Sequence, residues 1–591
     1  MIRPRIDPAL VLILLLAGLF YGRFTHEAPY HIDTVGYVEA AKTALATGTP
    51  PRAIESRFLN AYWYIPFLWV AHEQGIKALS VSLVLAFSLF YYLVVRREWG
   101  RHVAITASLM LLTTPAAVIT VTHLKEDFAG LLLLVVALWI LGRDASLPRV
   151  AFAAFLYGLA CLTKEIPLIL LPFMVVHTVL ARGRPTRWRD WMNAGWLRRP
   201  AAGAALLVGV ATATVGIVSP RHLSYLKSAT LSIYQGQFLG VGSSGQTFGA
   251  RLWQEGMLHM APLHLLLVVA LIGAVRRREF TTLLWLTCAV WTFLFISNTS
   301  VVRGRLFLVT AFFTAPLIAS TALQGFERLF ERRGGTRAAT PGIHQAAARK
   351  RRSERVEPPL PAWRRPSALL LQGGTIVLAL FQLGHLLPTL RYRLAYPPQA
   401  SFYGGLRDRL APGALMVGVD NCVLARYYCG RPCLVAPVDV DTAGARVFAD
   451  ALMESLATRP VYLLPDAFSY DTWGHRRREI RKRFDMVPAY SGFGENYHGM
   501  AYGRPLRELR RQVERDNPAC SVASIDLGPV LINDRLTLER RRLRLLCGDR
   551  EGERDVLTYA GFQTFLDSLT VYRLEAARRV PNGPPADRGG P

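Results

Sequence analysis

Leu10-Val11-Leu12-Ile13-Leu14-Leu15-Leu16-Ala17-Gly18-Leu19-Phe20 is followed, across residues 21–29, by Tyr30-His31-Ile32-Asp33-Thr34-Val35-Gly36-Tyr37-Val38-Glu39-Ala40-Ala41-Lys42. The first piece reads as the start of a membrane helix, the second as the polar segment that emerges from it. Arg3 and Arg5 precede the apolar run, so the positive-inside rule keeps the N-terminus cytoplasmic and sends Asp33 outside. No small-x-small cleavage site follows Leu19 and more apolar runs come later, so residues 1–22 read as a retained first helix rather than a signal peptide. An acid where a chain leaves hydrocarbon asks for a reason. Over residues 37–46 the spacing predicts a short amphipathic helix, with Tyr37, Ala41 and Leu45 on one side and Glu39 and Lys42 on others.

Working outward, the 591 residues are 51% hydrophobic, too long and too apolar for one soluble domain. Runs near the roughly 18–20 residues needed to cross a bilayer recur along the chain. About eleven spans are predicted, over 10–20, 76–95, 103–121, 128–141, 150–162, 166–180, 202–218, 259–275, 283–296, 306–323 and 368–387. The aromatic piece over 61–70 is short for a span and reads as lying along the outer surface. The formal charge of +27 sits mostly in short loops such as Arg96-Arg97 and Arg276-Arg277-Arg278, where it orients the spans, so no nucleic-acid partner is inferred. With this parity, arginine clusters fall inside and acidic polar turns fall outside.

Five regions follow. They are a polytopic module over 1–325, a basic, disordered cytoplasmic linker over 326–366, a last span over 367–395, an extracytoplasmic α/β domain over 396–578 and a disordered tail over 579–591. Within the first, residues 219–258 form a glycine-rich outer loop, a candidate lid. In the fourth, strands over 414–419, 433–438 and 460–464 and a helix over 423–428 are predicted. Of seven cysteines, Cys161 and Cys288 lie in apolar runs and read as packing residues. Cys422, Cys429, Cys433, Cys520 and Cys547 lie in the last third, where an oxidising compartment allows disulfides and an odd count leaves one thiol over. Cys429 and Cys433 have three residues between them and so form no CxxC motif, and the α/β region holds no GxGxxG loop or nucleophile elbow.

Four segments bring charge to the outer boundary: Asp33 with Glu39, Lys125-Glu126-Asp127, Lys164-Glu165, and Arg303 with Arg305. Taken singly, each reads as an interface anchor; four on one face read as a site. A carboxylate accepts a proton from an attacking hydroxyl. Lysine and arginine neutralise phosphate oxygens as negative charge builds there. The set suits group transfer with a phosphate leaving group.

These segments resemble the GT-C superfamily of polyprenyl-phosphate-dependent glycosyltransferases. The likeness is to the branch of protein O-mannosyltransferases and bacterial aminoarabinose transferases of lipid A. It rests on Asp33-Thr34-Val35-Gly36-Tyr37 in the first outer loop, Lys125-Glu126-Asp127 opening the fourth span, Gly158-Leu159-Ala160-Cys161-Leu162-Thr163-Lys164 ending the fifth, and an arginine-led span from Arg303 to Pro316. The resemblance implies a GT-C-like membrane module in a bacterial inner membrane, Asp33 as general base, and Asp127 as a residue that positions substrate or a divalent ion. It also implies Lys164, Arg303 and Arg305 at the lipid phosphate, and Tyr37, Glu39 and Arg57 among the substrate-binding residues. Glu126 stands where the family has proline, so two acids compete for one role. The second outer loop lacks Asp-x-Asp, so a divalent metal is not required; Asp33, Asp127 and His31 are its candidate ligands. The partners implied are a polyprenyl-phosphate-sugar donor, membrane lipid, and an acceptor lipid, glycan or protein. A transporter or flippase of an amphipathic lipid, and an inactive envelope scaffold, are the alternatives.

Overall fold

The computed structural model describes residues 7–29, 32–51, 58–122, 124, 127–142, 146–164, 166–182, 194–218, 271–273, 279–297, 308–333, 364–395, 398–438, 440–468, 474–495, 520–533, 536–547, 550–559 and 562–577. The chain divides into two compact units. One holds Met1–Thr25, Glu55–Asn60 and Ala78–Leu386; the other holds His26–Ile54, Ala61–Lys77 and Leu387–Pro591.

In chain order the helices up to the C-terminal third are α1 (Pro8–Phe24), α2 (Ile32–Thr47), α3 (Phe58–Ala71), α4 (Gln74–Trp99), α5 (Arg101–Leu112), α6 (Pro115–Thr122), α7 (Asp127–Leu141), α8 (Leu147–Thr163), α9 (Leu171–Arg182), α10 (Ala194–Val218), α11 (Phe280–Ser297), α12 (Leu308–Arg333) and α13 (Arg364–Ala395). Among the described residues three helices are long and apolar enough to span alone, one bent pair passes together, and six shorter apolar helices accompany them. These match ten of the eleven runs read from the sequence; the eighth, over 259–275, lies almost wholly outside the described residues. The run over 103–121 is not one straight helix: α5 and α6 meet at 61°. Pro115 has no amide hydrogen to continue α5, which gives way at Thr113 and Thr114.

A break in hydrocarbon strands carbonyls that no water can meet. Tyr21 answers this, its hydroxyl donating to the Leu112 carbonyl at the end of α5. Tyr91 likewise donates to the Phe312 carbonyl, 3.0 Å away, inside an aromatic core where Trp285 stacks on Phe312 at 5.5 Å. Arg97, at the end of α4, donates to the Leu138 and Trp139 carbonyls in the last turn of α7. Asp7 caps α1 and joins it to the same end of the bundle, accepting from Tyr92 (2.6 Å) and Arg101 (3.0 Å). Burial opposes charge on Asp7, but those two hydrogen bonds outweigh it and hold the carboxyl below its usual range.

The second unit contains α2 and a C-terminal α/β fold. Its elements are α14 (Pro398–Arg407), β1 (Leu415–Gly418), α15 (Asn421–Cys429), β2 (Cys433–Val435), α16 (Thr442–Thr458), β3 (Val461–Leu463), α17 (His475–Arg483), β4 (Phe484–Glu495), β5 (Cys520–Asn533), β6 (Leu536–Cys547), β7 (Arg550–Tyr559) and β8 (Phe562–Ala576). β1 is parallel to β2 and to β3, as the predicted strand–helix alternation requires. The rest of the sheet is antiparallel. β8 pairs with β3, β4 and β7, and β6 lies between β7 and β5. Successive residues of β1 point to opposite faces. Met416 joins a core with Phe402, Leu424 and Ala425; Leu415 and Val417 join another with Phe448 and Leu452. Gly430, with φ +62°, ends α15 in the left-handed conformation glycine tolerates.

Cys422 and Cys433 form a disulfide that ties α15 to β2, while Cys429 is a buried free thiol. Closing so short a loop contributes about 2–3 kcal/mol in the chain-entropy account. Burial pushes the Cys429 thiol up to about 12, against the lowering influence of Arg407 and Arg431. At about pH 8 its thiolate is therefore scarce. We expect iodoacetamide to spare Cys429 in the folded protein and label it after denaturation, and a non-reducing peptide map to show Cys422 linked to Cys433. Labelling of Cys429 in the folded state would contradict this environment.

Candidate active site

The geometry starts with two helix ends. Asp127 is the first residue of α7, and Lys164 is the residue on which α8 stops. α8 stops there as Lys164 turns extended, with φ −152° and ψ 148°. A short 3-10 stretch, Ile166–Leu170, follows, and Tyr157 donates to the Pro167 carbonyl at 2.7 Å. Lys164 Nζ lies 3.4 Å from Asp127 Oδ1, with both side chains buried. The macrodipoles fit this arrangement: the carboxylate sits at the positive end of α7 and the ammonium at the negative end of α8.

Three neighbours shape this pair. Gly130 lies one turn along α7, where a Cβ would come within 3.3 Å of Lys164 Cβ. Gly158 lies earlier on α8, where a Cβ would meet Thr214 Cβ at 2.9 Å; its bareness lets α8 and α10 pack closely. Asn60, near the start of α3, is buried and donates through Nδ2 to the Thr163 carbonyl at 3.1 Å. Its Oδ1 is buried without a hydrogen-bond partner among the described residues. The sequence reading missed Asn60 and Gly130. Glycine three residues beyond an acid was a weak signal for one, and a lone Asn after Arg57 was no signal for the other.

Asp33, Tyr37 and Glu39 lie on α2, in the other unit. The helix begins at Ile32 rather than at Tyr37, so Asp33 stands in its first turn, half-buried, not in a loop before it. A carboxylate there faces the unsatisfied amides of a helix start. Tyr37 is buried. Burial pushes the Glu39 carboxyl up, against the lowering influence of Arg426 and Lys42. Lys42 Nζ is 2.7 Å from Glu73 Oε1 and 4.7 Å from the centre of the Tyr427 ring. His31, Arg57, Glu126, Arg303 and Arg305 lie outside the described residues. Among the described residues no three His, Cys, Asp or Glu side chains come together as a metal site.

The family model of dolichyl-phosphate-mannose-protein mannosyltransferase matches residues 61–208, about a quarter of the chain, a stretch that holds both Asp127 and Lys164. ArnT from Cupriavidus metallidurans, crystallised with undecaprenyl phosphate, superposes with a TM-score of 0.53 at 15% identity, over 81% of this chain and 95% of that one. This chain has the GT-C fold. The apo form of the same ArnT gives a TM-score of 0.50, again at 15% identity and over the same shares of both chains. No curated protein sequence matches the chain. The GT-C resemblance read from the Asp33, Lys125-Glu126-Asp127 and Gly158-to-Lys164 segments is thus borne out as a fold, with helical spans and a small sheet domain.

Proposed function

We propose that this GT-C chain is an integral-membrane glycosyltransferase. It moves a sugar from a polyprenyl-phosphate donor to a hydroxyl of a lipid, glycan or protein, on the outer face of a bacterial inner membrane. The observation that carries this reading is the buried Asp127–Lys164 pair, set at two helix ends inside the stretch matched by the mannosyltransferase model. The undecaprenyl phosphate bound by ArnT supports a carrier of the same chemistry here.

In this reading Asp33 accepts the proton of the acceptor hydroxyl as its oxygen attacks the anomeric carbon. The bond from that carbon to the phosphate oxygen breaks, and the lipid phosphate leaves with the electron pair. Lys164, with Arg303 and Arg305, neutralises the charge that grows on the phosphate. Asp127 aims the ammonium, and a single displacement inverts the anomeric centre. Tyr37, Glu39, Glu126 and Arg57 belong to the substrate-binding set. Asn60 Oδ1, a buried acceptor, takes a hydroxyl hydrogen of the bound donor. Asn60→Ala is therefore expected to raise the donor KM about tenfold, within the range of one lost buried hydrogen bond. Steady-state rates measure it, and an unchanged KM would confine Asn60 to its link with Thr163.

The reading is tested by incubating the purified protein with a polyprenyl-phosphate sugar labelled on the sugar. Release of free polyprenyl phosphate with label on an acceptor supports transfer. Protein-dependent crossing of liposomes by intact donor would replace it with a transporter, and neither outcome would leave a scaffold.

A further inference from the structure

We propose that the C-terminal α/β domain positions the base of this reaction, gripping helix α2 through α15, with Tyr428 as the positioning residue; this rests on reading Asp33 as the base. The grip runs from just before α2 to Lys42. Before the helix begins, the Tyr428 hydroxyl donates to the Pro29 carbonyl. In its first turn, Val35 is fully buried in the core built by Phe402, Met416, Leu424 and Ala425. Toward its far end, Lys42 lies over the Tyr427 ring. Residues 29–42 and 402–428 are far apart in sequence, yet they share one core within one compact unit. A 16-residue helix is marginal by itself in water, so its position is set by what it packs against.

What it packs against is itself fixed. The Cys422–Cys433 disulfide joins α15 to β2. The buried Asp466 carboxylate accepts from the Val419 and Asn421 amides, at 3.2 and 2.7 Å, and so locks the turn from β1 into α15. Tyr403 stacks on Tyr428 with ring centres 6.3 Å apart. A connected series of fixed contacts therefore runs from the parallel strands through α15 to α2 and to Asp33, two residues before Val35. Reacting groups must be held in near-attack geometry, and a displacement of about 1 Å originating far from the chemistry costs roughly a hundredfold in rate.

Ordinary packing predicts that activity follows stability; positioning predicts that it does not. Tyr428→Phe keeps the ring on Tyr403 and removes only the bond to Pro29. It is expected to lower kcat at least tenfold, with donor KM within twofold and Tm within about 2 °C of the parent. Val35→Ala is expected to lower kcat similarly, and Val35→Ile, which keeps a β-branched side chain there, to stay within twofold of the parent. Leu452→Ala, in the core on the opposite face of the sheet, is expected to lower Tm by several degrees and leave kcat unchanged. If Tyr428→Phe and Val35→Ala keep the parental kcat while Asp33→Asn is inactive, the positioning role is overturned and Asp33 stands as base. If Asp33→Asn is active, both fall.

Discussion

Asp33→Asn is expected to abolish sugar transfer, by at least a thousandfold, while expression and thermal unfolding stay as in the parent. An amide matches a carboxylate in shape but cannot take a proton from the attacking hydroxyl, and a positioned general base contributes about 10²–10⁴ in rate. The fold has little reason to respond. Asp33 is half-buried in the first turn of α2, where Asn keeps its size and loses only the charge's interaction with the helix dipole, about 0.3–1 kcal/mol. The cores on either side of the domain sheet do not depend on its charge. Residual activity above this level would move the role of base to Glu39, on the same helix, or to Glu126. Glu39→Gln then separates the two acids, because it removes a half-buried carboxyl whose neutral form burial already favours.

Lys164→Met is expected to lose donor binding and to destabilise the membrane unit. Both side chains of the Asp127–Lys164 pair are buried, and removing one member of such a pair costs about 3–5 kcal/mol because its partner's charge stays desolvated. The pair is 3.4 Å apart, an ion pair longer than the roughly 2.7–2.9 Å of a tight charge-assisted hydrogen bond. The double variant Asp127→Leu with Lys164→Met, which removes both charges, is expected to recover most of the lost thermal stability and none of the donor affinity. Thermal unfolding in detergent and binding of polyprenyl phosphate, measured on the same preparations, separate the two effects. A double variant that binds donor normally would remove Lys164 from the phosphate site.

The apolar helices were legible because hydrocarbon imposes its own length on apolar runs. Asp127 and Lys164 were legible as charged segments on one predicted face, but not as an ion pair, since they lie on different helices and no local pattern joins them. The parallel strands β1, β2 and β3 were readable as short apolar runs near a helix-forming stretch. The antiparallel half was not: β6 carries Arg540-Arg541-Arg542 and β7 carries Arg550, Glu551, Glu553, Arg554 and Asp555, charged runs that hide a strand's alternation. The break at Thr113 was hidden because an apolar count passes over Pro115 without a change in hydropathy. Nothing in the sequence said that Val35 shares a core with Leu424, because long-range packing leaves no local periodicity.

In the proposed reaction Asp33 and Lys164 serve one sugar phosphate. A structure determined with a bound, non-transferable polyprenyl-phosphate sugar tests it most directly. The donor phosphate is expected within about 3–4 Å of Lys164 Nζ, and the Asp33 carboxylate separated from the anomeric carbon by no more than one acceptor hydroxyl. A phosphate held away from Lys164, or an Asp33 farther off than one hydroxyl can bridge, would contradict it.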